Sequence, residues 1–167
     1  MNPDLPQTAP ADPPTQLRAP PADLCDPARL EAAFATAPPA LPQLRQLLRD
    51  GAAALHRHFE QGLSADRLVY GRCCLIDLVL ARLWAQVLHE DAQALGLIAV
   101  GGYGRGELLP HSDIDLLILL PDTETAQQAA RLEAFLTQLW DIGLEVGHSV
   151  RTIQDCITEG ERGITVA

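Results

Sequence analysis

No apolar run in the chain approaches the roughly 20 residues needed to span a bilayer. The opening residues, MNPDLPQTAPADPP, have neither a basic start nor an apolar stretch. A membrane partner is therefore not expected, and the expected location is the cytoplasm. Basic side chains are also in short supply: 12 Lys and Arg face 22 Asp and Glu, for a formal net charge of -10. Lasting association with a nucleic-acid backbone draws on clustered Lys and Arg to displace counterions, so nucleic acid is not an expected partner. A single nucleoside triphosphate stays compatible with that charge, because bound metal ions supply positive charge locally.

Further absences narrow the chemistry. No Gly-Lys-Ser or Gly-Lys-Thr occurs, which removes the P-loop. Gly102-Tyr103-Gly104-Arg105-Gly106 fails as a dinucleotide fingerprint, because Glu107 stands where the third glycine is needed and Leu108-Leu109-Pro110 does not open a helix. Cys25, Cys73, Cys74 and Cys156 contain no C-x-x-C pair, and adjacent cysteines rarely reach disulfide geometry. Free, mostly buried thiols are expected. Aromatics make up 4% of residues, so the core has to come mainly from Leu, Ala, Ile and Val.

What is present suits one domain plus a tail, at 167 residues. Residues 1–26 are crowded with Pro, Ala, Gln and Asp, and ordering them would cost entropy for little burial, which predicts a flexible tail. Residues 27–92 read as a helical region. Within it, helical patterns run from Leu41 to His58 and from Asp66 to His89, the second placing Ile76, Val79, Leu80, Leu83, Trp84, Val87 and Leu88 on one side. Ser64 or Asp66 is positioned to cap that second helix.

From residue 93 onward the pattern changes. Leu97-Ile98-Ala99-Val100, ending in Gly101-Gly102, reads as a buried strand followed by a turn. Ile114 to Leu120 is nearly continuous in apolar character and reads as a central strand. Leu132, Phe135, Leu136, Leu139 and Trp140 recur at helical spacing, with Gly143 as a C-terminal cap. Leu144 to Thr152 alternates, with Leu144, Val146 and Val150 on one side and Glu145, Gly147, Ser149 and Arg151 on the other, which predicts a half-exposed strand.

The chemistry lies in VGGYGRGELLPHSDIDLLILL, Val100 to Leu120. Asp113 and Asp115 are two apart at the start of a strand, so their side chains leave one face together while Ile114 and Leu116 enter the other. Adjacent carboxylates repel, and a divalent cation removes that conflict. Magnesium takes one or two carboxylates plus substrate phosphates, and paired ions stabilise the attacking and leaving oxygens of a displacement at phosphorus. Gly101 and Gly102 let a triphosphate approach the backbone, and Arg105 and Ser112 are candidate phosphate contacts. Alone, a glycine cluster reads as a turn, and Asp-Ile-Asp as a strand end with solvated acids. Jointly, strand, Gly-Gly, loop and Ser-Asp-Ile-Asp entering an apolar strand have few structural reasons to coincide.

Gly-Gly followed by Asp-x-Asp resembles the signature of the polymerase β-type nucleotidyltransferase superfamily. The longer strings GGYGRGEL, SDIDLLIL and LWDIGLEVGHSVRT are similar to the bacterial PII uridylyltransferase and uridylyl-removing family over about Leu75 to Ala167. The resemblance implies an α/β fold: a short mixed sheet with the metal site, preceded by the helical region and the Pro/Ala-rich tail. Residues 93–167 would be the nucleotidyltransferase core, incomplete at its C-terminal end. It implies transfer of UMP from UTP to a tyrosine of the PII nitrogen-regulatory protein, with pyrophosphate released. Asp113 and Asp115 would be catalytic and hold magnesium, and Gly101 and Gly102 would line the triphosphate site. Superfamily members supply a third carboxylate from a later strand; Glu145 is the candidate, against the alternative of a solvated glutamate. His148 and Arg151 either contact nucleotide or complete a polar network. Nothing resembles the hydrolase domain that removes UMP or the domains that sense glutamine, so glutamine regulation would act only through segments absent from this chain. Two rivals remain: another nucleotidyltransferase, using ATP or a small substrate, and a nucleotide-binding module without catalysis.

Overall fold

The structure is a computed structural model, and it describes residues 21–121 and 125–164. Of the expected tail, residues 1–20 lie outside the described residues. Within 21–26, Leu24 is buried, and Asp26 caps helix α1 (Pro27–Ala33) by accepting from the Ala28 amide at 2.9 Å.

Two long helices follow, α2 (Leu41–Glu60) and α3 (Ala65–Leu88). Their bounds lie close to the helical periods of the sequence. Ser64 holds the N-cap position of α3 without a side-chain hydrogen bond, so the cap is a matter of backbone position alone. Every residue of the expected apolar side of α3 is buried except Val87, which is half-buried.

After a short 3₁₀ turn (His89–Gln93) come strand β1 (Gly96–Ala99), a one-turn helix α4 (Gly101–Gly104), strand β2 (Ile114–Leu120), helix α5 (Ala126–Asp141), strand β3 (Val146–Thr152) and helix α6 (Ile153–Ile164). The sheet order is β1-β2-β3, with β1 antiparallel and β3 parallel to β2. The mixed sheet and the central place of β2 agree with the sequence. A parallel pair needs a crossover, and α5 provides it, opening on a capping box in which Thr125 and Gln128 exchange hydrogen bonds. Gly143 follows the end of α5 at φ +86, as expected of a C-terminal cap glycine.

Ile114, Leu116 and Ile118 point to one face of β2 and are at most 2% exposed. They join Val79, Leu83 and Phe135 in a single buried cluster that runs from α1 to the entrance of β3. Trp84 and Phe135 meet edge-on at its centre, ring centroids 5.2 Å apart. The helices before residue 93 and the sheet after it thus share one core.

Some expectations are corrected. β1 is an edge strand rather than a buried one, with Ile98 38% exposed; its register partner is Leu117, on the sheet face away from the buried Leu116 and Ile118. The Gly101-Gly102 segment is a helical turn, α4. Trp140 is 51% exposed, lying over the His148 ring at 5.9 Å instead of entering the core. β3, by contrast, is the half-exposed strand the alternation predicts, with Val150 42% exposed. All four cysteines are free, but among them Cys73 alone is fully buried. No helix among the described residues is long and apolar enough to cross a membrane.

Candidate functional site

β2 enters the sheet at Ile114, whose amide donates to the Glu145 carbonyl at 2.9 Å, while Val100 donates to the Asp115 carbonyl at 3.0 Å. These bonds fix Asp115 between the end of β1 and the start of β3. Its carboxylate fits there because both flanking positions are glycine. A Cβ on Gly101 would stand 2.6 Å from Oδ2, and one on Gly147 would stand 2.8 Å from Oδ1. Gly101 also has φ +61, a backbone state that residues with a side chain seldom adopt. Gly147 is the register partner of Asp115 on β3. A glycine inside a strand signals a close approach, and here the approaching group is the carboxylate.

Asp113, Asp115, Ser112 and Gly102 line one open cavity of about 320 Å³, together with Tyr103, Glu107, Leu108 and His111. Asp113 is exposed and Asp115 half-buried, and neither carboxylate has a hydrogen bond or ion pair to a described residue. Two free carboxylates beside a hydroxyl form an all-oxygen donor set of the kind that magnesium accepts alongside phosphate oxygens. Among the described residues, no group of three or more His, Cys, Asp or Glu is arranged to hold a metal.

The remaining candidates are spread. Arg105 does not line this cavity; its Nε pairs with Glu107 at 2.9 Å and its Nη1 donates to the Gly101 carbonyl at 2.9 Å. Glu145 lines a second cavity on the other side of Ser112 and Ile114. His148 is exposed on its strand, beneath Trp140.

One feature escaped the sequence. Tyr103, buried in α4, donates a short hydrogen bond to Asp77 on α3, which ties the glycine-rich turn to the helical layer. Burial, reinforced by that carboxylate, pushes the Tyr103 phenol well above its ordinary pKa. The available signal was Asp77 itself, a lone acid within the apolar run Leu75 to Leu80. His111, which borders the two aspartates in sequence, lines both cavities and has φ +66, an uncommon state for a non-glycine residue.

A family model described as Nucleotidyltransferase domain matches residues 80–154, which include α4, both aspartates and β3. A bifunctional uridylyltransferase/uridylyl-removing enzyme from Pseudomonas putida is 44% identical over 144 residues, covering 86% of this chain and 16% of the relative. The enzyme of the same name from Azotobacter vinelandii is 42% identical, and that from Pseudomonas entomophila 40%, with the same coverage of each chain. The chain thus spans about a sixth of the length of these relatives. No solved structure matches it. With its aspartates, glycines and sheet all inside the matched span, the chain carries a nucleotidyltransferase domain over residues 80–154 and is similar to one portion of the bifunctional uridylyltransferases.

Proposed function

We propose that this chain carries the uridylyl-transfer site of an enzyme that moves UMP from UTP to a tyrosine hydroxyl of the PII nitrogen-regulatory protein in the cytoplasm, releasing pyrophosphate. The observation that carries this reading is the pair Asp113 and Asp115, unpaired by any described cation, on one cavity with Gly102 and Ser112. The relatives named above support the choice of uridylyl over other nucleotidyl groups.

Asp113 and Asp115 hold magnesium in this proposal, with Glu145 as a third carboxylate only if its side chain turns from the neighbouring cavity. When bound, the metal neutralises phosphate charge and stabilises the oxygens that attack and leave. The protein's own part is placement. Gly101 and Gly147 bracket Asp115, so its carboxylate is fixed before substrate arrives, and such positioning removes an entropic share of the barrier. Gly101 and Gly102 keep side chains out of the triphosphate's path, and Ser112 offers a hydroxyl to a phosphate oxygen. Arg105 contributes to phosphate binding by exchanging its Glu107 partner for the nucleotide. The tyrosine hydroxyl, with an ordinary pKa of about 10, is a weak nucleophile near neutral pH. One of the two aspartates accepts its proton as the oxygen attacks the α-phosphorus. Removal of UMP is not assigned to these residues.

The test is label transfer to purified PII protein from UTP or ATP carrying a labelled α-phosphate, with magnesium or with a chelator. Magnesium-dependent labelling from UTP at a tyrosine is the expected result. Labelling from ATP alone would favour protein adenylylation, and binding of UTP without any transfer would leave a nucleotide-binding module.

A further inference from the structure

Beside the carboxylate cavity lies a larger one of about 580 Å³, between α2, α3 and the entrances of β2 and β3. The two share Leu108, His111 and Ser112 as a common wall. A ligand with phosphates at Asp113 and Asp115 therefore has somewhere to extend. On the helical side the larger cavity is apolar, lined by Leu55, Phe59, Leu68 and Val69. Two charged groups of opposite sign also reach it, Arg72 from α3 and Glu145 from the entrance of β3.

Arg72 is the unexplained residue. Its Nε is buried and has no hydrogen-bond partner. A guanidinium stays charged in proteins, so it cannot relieve burial by losing a proton. Burial lowers its proton affinity, and the nearby charge of Glu145 acts in the opposite direction, yet no hydrogen bond or ion pair joins the two side chains. A buried donor without an acceptor, the Arg72 Nε, and the exposed Glu145 carboxylate thus belong to the lining of one largely apolar cavity.

That pattern matches one edge of a flat ring bearing carbonyl oxygens on either side of an N–H. We propose that the larger cavity holds the uracil ring of UTP, with Arg72 donating to a ring carbonyl and Glu145 accepting from the ring N3–H. Arg72 and Glu145 are then the residues that set base preference. Cytosine presents a bare N3 where uracil presents N–H, so it would set acceptor against acceptor at Glu145, a mismatch that disfavours CTP. The inference rests on the UTP reading above and adds to it the residues that read the base.

The experiment measures kcat and KM for UTP and CTP, and KM for the PII acceptor, using the intact enzyme with magnesium. Wild type is compared with Glu145→Gln, whose amide both donates and accepts, and with Arg72→Lys, which keeps charge without the fork. Thermal unfolding identifies variants that remain folded. Glu145→Gln is expected to reduce the preference for UTP over CTP by about tenfold or more, and Arg72→Lys to raise KM for UTP by about tenfold with the acceptor KM unchanged. An unchanged UTP to CTP ratio with a raised acceptor KM would overturn the proposal and give the cavity to the acceptor. Equal loss of turnover with both nucleotides would overturn it in favour of Glu145 as a metal ligand. If wild type transfers nothing from UTP but uses another nucleotide, the functional reading itself fails.

Discussion

The Asp115 carboxylate lies where a side chain on Gly147 would stand, its Oδ1 2.8 Å from the position of a Cβ there. With Gly101 closing on Oδ2 from the other side, the strand entrance is shaped around one acid. That relation makes the two glycines part of the site although neither carries a functional group.

Gly147→Ala should therefore harm activity far more than stability. The added methyl displaces Asp115, and a shift of about 1 Å at a reacting site costs on the order of 100-fold in rate. Gly101→Ala adds the strain of a positive φ, roughly 1–2 kcal/mol. Steady-state transfer rates and chemical unfolding of both variants check this, with Gly147→Ala expected to unfold nearly as wild type.

Asp113→Asn and Asp115→Asn should each abolish transfer while leaving the unfolding midpoint within error of wild type. An amide is a poor substitute for an anionic magnesium ligand, and neither carboxylate holds the fold through a hydrogen bond or ion pair among the described residues. Excess chelator should reproduce the loss in wild type, and added magnesium should restore it.

The Tyr103 to Asp77 hydrogen bond should contribute to stability. Tyr103→Phe is expected to cost about 1 kcal/mol, with a similar coupling in a double-mutant cycle with Asp77→Ala. Burial of the phenol, together with this bond, also sets a pH dependence. The folded-state pKa of Tyr103 lies above its unfolded value, so the folded state retains its proton longer, and stability is fully present below about pH 10. As pH rises past that value the contribution is progressively lost. Thermal unfolding between neutral and strongly alkaline pH should show this decline in wild type and a shallower one in Tyr103→Phe.

Much of this was legible because periodicity reports burial. The α3 stripe, the apolar run of β2 and the Asp113, Asp115 pair each follow from spacing alone, since side-chain direction alternates or winds in a fixed way. What spacing does not report is which strand is covered. β1 lies at the sheet's edge, and Ile98 is partly exposed despite its apolar character. Contacts between distant segments were equally hidden. Tyr103 meets Asp77, and Gly147 meets Asp115, only after the chain has folded; the polar face that set Glu145 beside Gly147 gave no sign that Glu145 would line the cavity of Arg72 instead.

The central claim, that Asp113 and Asp115 grip a divalent ion beside a nucleotide, is tested most directly by the binding of manganese, an oxygen-seeking stand-in for magnesium. Electron paramagnetic resonance would follow free manganese as protein is added with UTP present. The account predicts uptake by wild type and strongly weakened uptake by Asp113→Asn and Asp115→Asn. Equal uptake by all three proteins would contradict it.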